Sequence, residues 1–156
     1  MDIYRHIRGI QMVNYWLCVT NDENWQIIKE KKIWGVSEKC KKIISQVKIG
    51  DFLIFYVMPK KVGGILTTTS TQIMSKEKLF SWGEYGKYEL FPYRVYLSDI
   101  LLLEKPIKFD PLIEKLSFTK GRKKWSGPFR KSMFKIENED YTIIKTYMNT
   151  YNVHAR

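Results

Sequence analysis

The chain has 156 residues, 44% hydrophobic and 28% charged, which suits one soluble globular domain with a core of its own. A formal charge of +11 points to a polyanionic partner, nucleic acid ahead of an anionic membrane surface. Two cysteines, Cys18 and Cys40, exclude a disulfide scaffold and a cysteine zinc site, and no apolar run is long enough to span a membrane.

Residues 1–12 read as an N-terminal leader without the hydrophobic region of a signal peptide, residues 13–150 as the single domain and 151–156 as a tail. Both thiols read as reduced, in a cytoplasmic protein. Tyr15 to Val19 is aromatic and β-branched, a strand stopped by Thr20-Asn21-Asp22. Asn21 or Asp22 caps a helix from Glu23 to Lys31, with Trp25, Ile27 and Ile28 inward. Ile33 to Val36 returns toward the core, and Gly35 lets the backbone approach something closely.

Ser37 caps a second helix, which places Ile43, Ile44 and Val47 inside. A tight turn at 47–51 leads into Phe52-Leu53-Ile54-Phe55-Tyr56-Val57, whose unbroken apolar run marks a central strand buried on both faces. Pro59 to Lys61 turns the chain into a hairpin partner that starts at Gly63 and runs to Ile73. Residues 75–91 form a long connection carrying Phe80, Trp82, Gly83, Tyr85 and Gly86; a loop with that content packs on the barrel or lines a site. Strands follow at Tyr93 to Leu97 and Ile100 to Glu104, then a short helix from Leu112 to Leu116. Ser117 to Lys124 is a basic loop, Arg130 to Ile136 a last strand and Glu137 to Thr150 a last helix. The order gives an α+β class, best met by a small closed or partly open barrel.

Nucleotide-dependent chemistry finds no support, because the chain has no glycine-rich phosphate loop. His6 and His154 lie near the termini, placed for neither a triad nor a metal cluster. Glu137, Glu139 and Asp140 start a helix, where carboxylates favour the dipole. No metal site, cofactor or catalytic set is expected.

What is present is cationic and aromatic. Between Lys105 and Lys135 lie ten lysines and arginines against Asp110 and Glu114, a local +8 of the total +11. Lys115, Lys120, Arg122, Lys123, Lys124, Arg130 and Lys131, with Trp125 and Phe129 among them, form a candidate nucleic-acid surface. Trp34, before Gly35, is the first candidate for stacking on a flat ring, and Trp82 the second.

These residues also carry a resemblance. Tyr-Trp-Leu-x-Val-Thr with Glu-Asn-Trp, then Ile-Trp-Gly-Val-Ser, Lys-Ile-Gly-Asp-Phe-Leu-Ile-Phe-Tyr, Phe-Pro-Tyr-Arg-Val, Leu-Ser-Phe and Lys-Lys-Trp occur in order over residues 14–148. The chain resembles the EVE domain family of the PUA-like superfamily, a relative of the methyladenosine-reading YTH domains. The resemblance implies a PUA-like small β-barrel flanked by helices, with a pocket for a modified base. It implies that Asn24 and Thr20 read the base edge, with Asn21 beside them. It further implies that Trp34 and Trp82 are cage tryptophans and that Gly35 contributes backbone. Trp125, Phe129 and Arg130 then fall at the pocket rim. Where YTH domains carry serine or alanine after the first cage tryptophan this chain has Gly35, so the base need not be methyladenosine.

The leading expectation is a nucleic-acid-binding module for a modified base, in RNA or DNA. An enzyme acting on RNA or nucleotides through the same pocket, and a binder of unmodified RNA in processing or translation, stand as alternatives.

Overall fold

The computed structural model describes residues 12–80 and 91–154, with side chains to Tyr151. The leader, His6, the connection residues Gly83, Tyr85 and Gly86 and the candidate Trp82 lie outside the described residues, as does the side chain of His154.

Strand β1 (Tyr15–Thr20) is followed by helix α1 (Asp22–Lys31) and strand β2 (Ile33–Val36). A 3-10 turn at Glu38–Cys40 runs into one α-turn, α2 (Lys41–Ile44). Then come β3 (Phe52–Val57), β4 (Lys61–Thr68), β5 (Ile73–Met74) and β6 (Tyr93–Lys108). Strand β7 (Met133–Ile136) and helix α3 (Asn138–His154) close the described chain.

The sheet is mixed and curled into a half-barrel, in the order β2-β6-β4-β3-β1-β7, with β5 added on β6. β3 lies near its middle, parallel to β1 and antiparallel to β4, and its residues 53–57 are buried, as its apolar run requires. Alternation along the strands sorts two cores. Trp16, Cys18, Leu53, Phe55, Leu66, Val95 and Met133 point into the barrel with Trp25 and Ile28 of α1. Leu17, Ile54, Tyr56, Ile65 and Leu101 point outward, under Tyr141, Ile144 and Met148 of α3. The outermost strands β2 and β7 meet across the interior, where the Trp34 indole N–H donates to Met133 Sδ at 3.5 Å.

Two apolar runs expected as separate strands are one strand, β6. Its first part pairs with β2 and β5 and its remainder with β4, so a single strand carries the curl. Ser98, Asp99 and Ile100 are all exposed at the bend, which breaks the alternation and makes one strand look like two. Pro106 is tolerated because the β4 register passes from Val62↔Ile107 to Gly64↔Leu102, leaving 103–106 without partners on that strand.

Other boundaries also differ from the sequence expectation. The helix after Ser37 opens as a 3-10 turn and has only one α-turn, and Ser37 makes no side-chain cap. The expected helix at 112–116 is a 3-10 turn at Asp110–Leu112 followed by further turns. The last strand starts at Met133, because Pro128 shapes a 3-10 turn at Gly127–Arg130. Helix α3 continues to His154, beyond Thr150.

Asp51 holds the N-terminal strand in register. Its carboxylate, only 1% exposed, accepts from the backbone N–H of Asn14 (3.0 Å) and of Lys48 (2.9 Å) and from the Trp16 indole (2.9 Å).

Candidate functional site

β1 and β3 run parallel, so both strands end at the same rim of the half-barrel. A cavity of about 440 Å³ opens there. Val19 and Thr20 end β1 and Met58 follows β3; the Met58 N–H donates to the Thr20 carbonyl at 2.8 Å. α1 adds Asn24 and its cap Asn21, β2 adds Trp34 and Gly35, and the segment entering β7 adds Phe129, Arg130, Lys131 and Ser132. Val19 donates its N–H to the Ser132 carbonyl at 2.8 Å, which fixes that last wall to β1. Phe80 and Phe91 complete the described lining.

The polar groups are held rather than loose. Asn21 Oδ1 accepts from the Asn24 N–H at 2.8 Å, the side-chain cap of α1. Both asparagines thereby sit at the helix N-terminus, where the partial positive charge favours acceptors and anions. Thr20 and Asn24 are 5% and 7% exposed, so what they offer faces the cavity edge and not bulk water. Trp34 is 4% exposed, set edge-on to Phe55 with ring centroids 5.4 Å apart.

The wall facing β2 depends on two residues. A Cβ on Gly35 would stand 2.6 Å from the Phe91 carbonyl oxygen and 3.1 Å from the Phe80 ring. Only a residue without a side chain lets Phe91 and Phe80 close against β2. Arg94, fully buried, clasps them from β6: Nε donates to the Phe91 carbonyl (2.9 Å), Nη1 to Ser75 Oγ (3.2 Å) and Nη2 to the Glu77 carbonyl (2.5 Å). Its guanidinium lies 5.4 Å from the Phe80 centroid. Burial lowers the Arg94 pKa from its ordinary value, opposed by Glu77.

Thr20, Asn21, Asn24, Trp34, Gly35, Phe129, Arg130 and Lys131, from three stretches of the sequence, thus line one cavity. Lys115, Lys120, Arg122, Lys123 and Lys124 do not line it; they are exposed on the turns that follow Leu112. Trp125 lies beside it, in a second groove of about 470 Å³ that shares Met58, Phe129 and Arg130 with the first. Sequence reasoning missed Val19, Met58, Phe91 and Ser132 as lining residues. The demand of Gly35 for a close neighbour was the signal for Phe91, but the neighbour itself is 56 positions away and only the fold identifies it. Among the described residues no group of three or more histidine, cysteine or carboxylate side chains could hold a metal ion.

The fold is thus α+β, a curled mixed sheet with a helix across its outer face and a cavity at its rim. Residues 14–147 match the EVE domain family, and the chain belongs to it. It is 38% identical over 146 residues to a UPF0310 protein of Pyrococcus abyssi, covering 87% of this chain and all of that one. In structure it is similar to a hypothetical protein from Leishmania major, with a TM-score of 0.63, 14% identity and coverage of 93% and 98% of the two chains. It is also similar to the YTH domain of the Zygosaccharomyces rouxii MRB1 protein in complex with N6-methyladenosine RNA, with a TM-score of 0.60, 12% identity and coverage of 88% and 85%.

Proposed function

We propose that this protein is a nucleic-acid-binding module that holds one unstacked, modified base in the rim cavity. The observation that carries the reading is the convergence of three chemistries on one space of about 440 Å³: aromatic walls, amide and hydroxyl groups, and a cationic edge. Trp34, Phe80 and Phe91 supply apolar surface for a flat ring. Thr20 and Asn24 supply hydrogen bonds for the base edge, and exposed Arg130 and Lys131 meet the phosphates. The volume falls in the range of small-ligand sites. The RNA complex of the similar YTH domain supports a nucleic-acid partner.

The test is a titration of short single-stranded RNA and DNA oligomers, each carrying a plain or a methylated central base. One methylated base is expected to bind tightest. Thr20→Val removes one hydroxyl at near-constant shape and is expected to narrow that preference. Trp34→Ala is expected to weaken binding about tenfold or more. Because Trp34 is also core, it should cost about 3–5 kcal/mol of stability as well, so Trp34→Phe serves as the folded control. Equal binding of all oligomers, unchanged in Thr20→Val and in the Trp34 variants, overturns the reading.

A further inference from the structure

The cavity shares a wall with a groove that a single base does not need. Met58, Phe129 and Arg130 line both spaces, and beyond them the groove is bounded by Tyr56, Pro59, Lys60 and Trp125. From these features we infer that the groove seats the neighbouring nucleotide of the same strand, its base against Trp125, so that the ligand is a polynucleotide of at least two residues and not a free base or nucleoside. This rests on the base-holding reading of the cavity.

Three observations support it. First, Trp125 is half-exposed yet firmly seated: its ring lies stacked on Phe109 at 5.7 Å and 23°, and edge-on to Phe129 at 5.8 Å. A ring fixed from behind with surface left in a groove is a stacking platform, and base–aromatic stacking tolerates any sequence. Second, the opposite bank is anchored at Lys60. Its N–H donates to the Tyr56 hydroxyl at 3.1 Å, and its carbonyl accepts from the Phe109 N–H at 2.8 Å. The groove is therefore present before anything binds. Third, the charge fits. Lys60 Nζ stands 6.0 Å from the Trp125 centroid, at the limit of cation–π contact, so it can yield that place to a base and turn to its phosphate. Arg130 borders both spaces, where the phosphate linking two adjacent nucleotides would fall. Exposed Lys123 and Lys124 immediately precede Trp125 and extend the cationic bank.

The experiment compares tetranucleotides, ribo and deoxy, with 2-aminopurine beside a plain or methylated central base, against the free nucleosides of the same bases. Trp125→Ala is expected to bind the tetranucleotide about tenfold more weakly, to lose the 2-aminopurine quench at that neighbouring position and to leave nucleoside binding unchanged. Trp125→Phe should restore most of the loss. Lys60→Ala alters an exposed side chain and keeps the fold; it should weaken the tetranucleotide and not the nucleoside. If Trp125→Ala melts like the wild type and binds the tetranucleotide equally well, the groove is not a subsite. Should Trp125→Ala lower the melting temperature, Lys60→Ala decides, and equal tetranucleotide affinity in that variant overturns the inference. Loss in the Trp125 variant with no effect of Thr20→Val or Trp34→Phe on any ligand would keep the groove and overturn the cavity reading instead.

Discussion

Asp51 shows how one side chain can decide a register. Its carboxylate gathers three N–H groups that belong to the start of β1 and to the turn before β3. Asp51→Asn keeps the shape but turns a donor toward one or more of those N–H groups. A loss of about 1–3 kcal/mol is expected, read as a lower urea midpoint at unchanged m; a midpoint equal to the wild type's would show that the cluster contributes nothing. From the sequence Asp51 is only a turn residue, because acceptors are recognised by the donors around them and these lie up to 37 positions away. Gly35 was more legible. A glycine inside an apolar strand carries a demand for space that the chain states locally, even though what fills the space does not show.

Among the elements, β6 and its partners matter most to the site. Arg94 projects from β6 and ties together residues before and after the long connection, the Glu77 and Phe91 carbonyls. Arg94→Lys keeps a charge but loses the planar fork that reaches three acceptors. Faster amide exchange at Ser75, whose N–H donates to the Pro92 carbonyl, is expected, with a stability loss of about 1–3 kcal/mol. Unchanged protection of Ser75 would mean that the clasp is not what closes this wall. The type of most elements could be read in the sequence, since periodicity and caps are local: Asn21 does cap α1, and Phe52–Val57 is central. Their extents were harder to read. The bend of β6 is settled by partners across the sheet, and an exposed trio such as Ser98-Asp99-Ile100 reads as a gap when it is a corner.

Over the whole molecule, tyrosine burial makes stability depend on alkaline pH. Burial pushes Tyr141 up to about 12, and Tyr147 likewise to about 12, from an ordinary 10.0. Tyr56 is raised by burial, and Tyr93 by its hydrogen bond to Glu38. Between pH 10 and about 12 the unfolded chain has released the Tyr141 and Tyr147 protons while the folded chain retains them. The folded state then binds more protons, so these tyrosines make stability fall as pH rises through that window; burial raises the Cys18 thiol as well and adds to the fall from about pH 9. Denaturant melts at pH 9 and 11 check the sign, and Tyr141→Phe should flatten the fall. The barrel could be expected from strand order and from family motifs. The division of the basic segment could not. Arg130 and Lys131 reach the cavity, whereas Lys115, Lys120 and Arg122 sit on turns whose direction is set by Ser117, tied through its N–H and hydroxyl to the buried Asp140.

The pairing of β7 with β1 has a consequence in time. The cavity takes Val19 and Thr20 from β1 and Phe129 to Ser132 from the segment that enters β7, far along the chain from β1, joined by the Val19–Ser132 bond. A chain still being synthesised can form the central β3–β4 hairpin early, but it has no such wall until residues 129–136 leave the ribosome. The cavity is therefore completed only once β7 is in place, and any ligand that holds only the finished form would oppose unfolding at the β1–β7 seam.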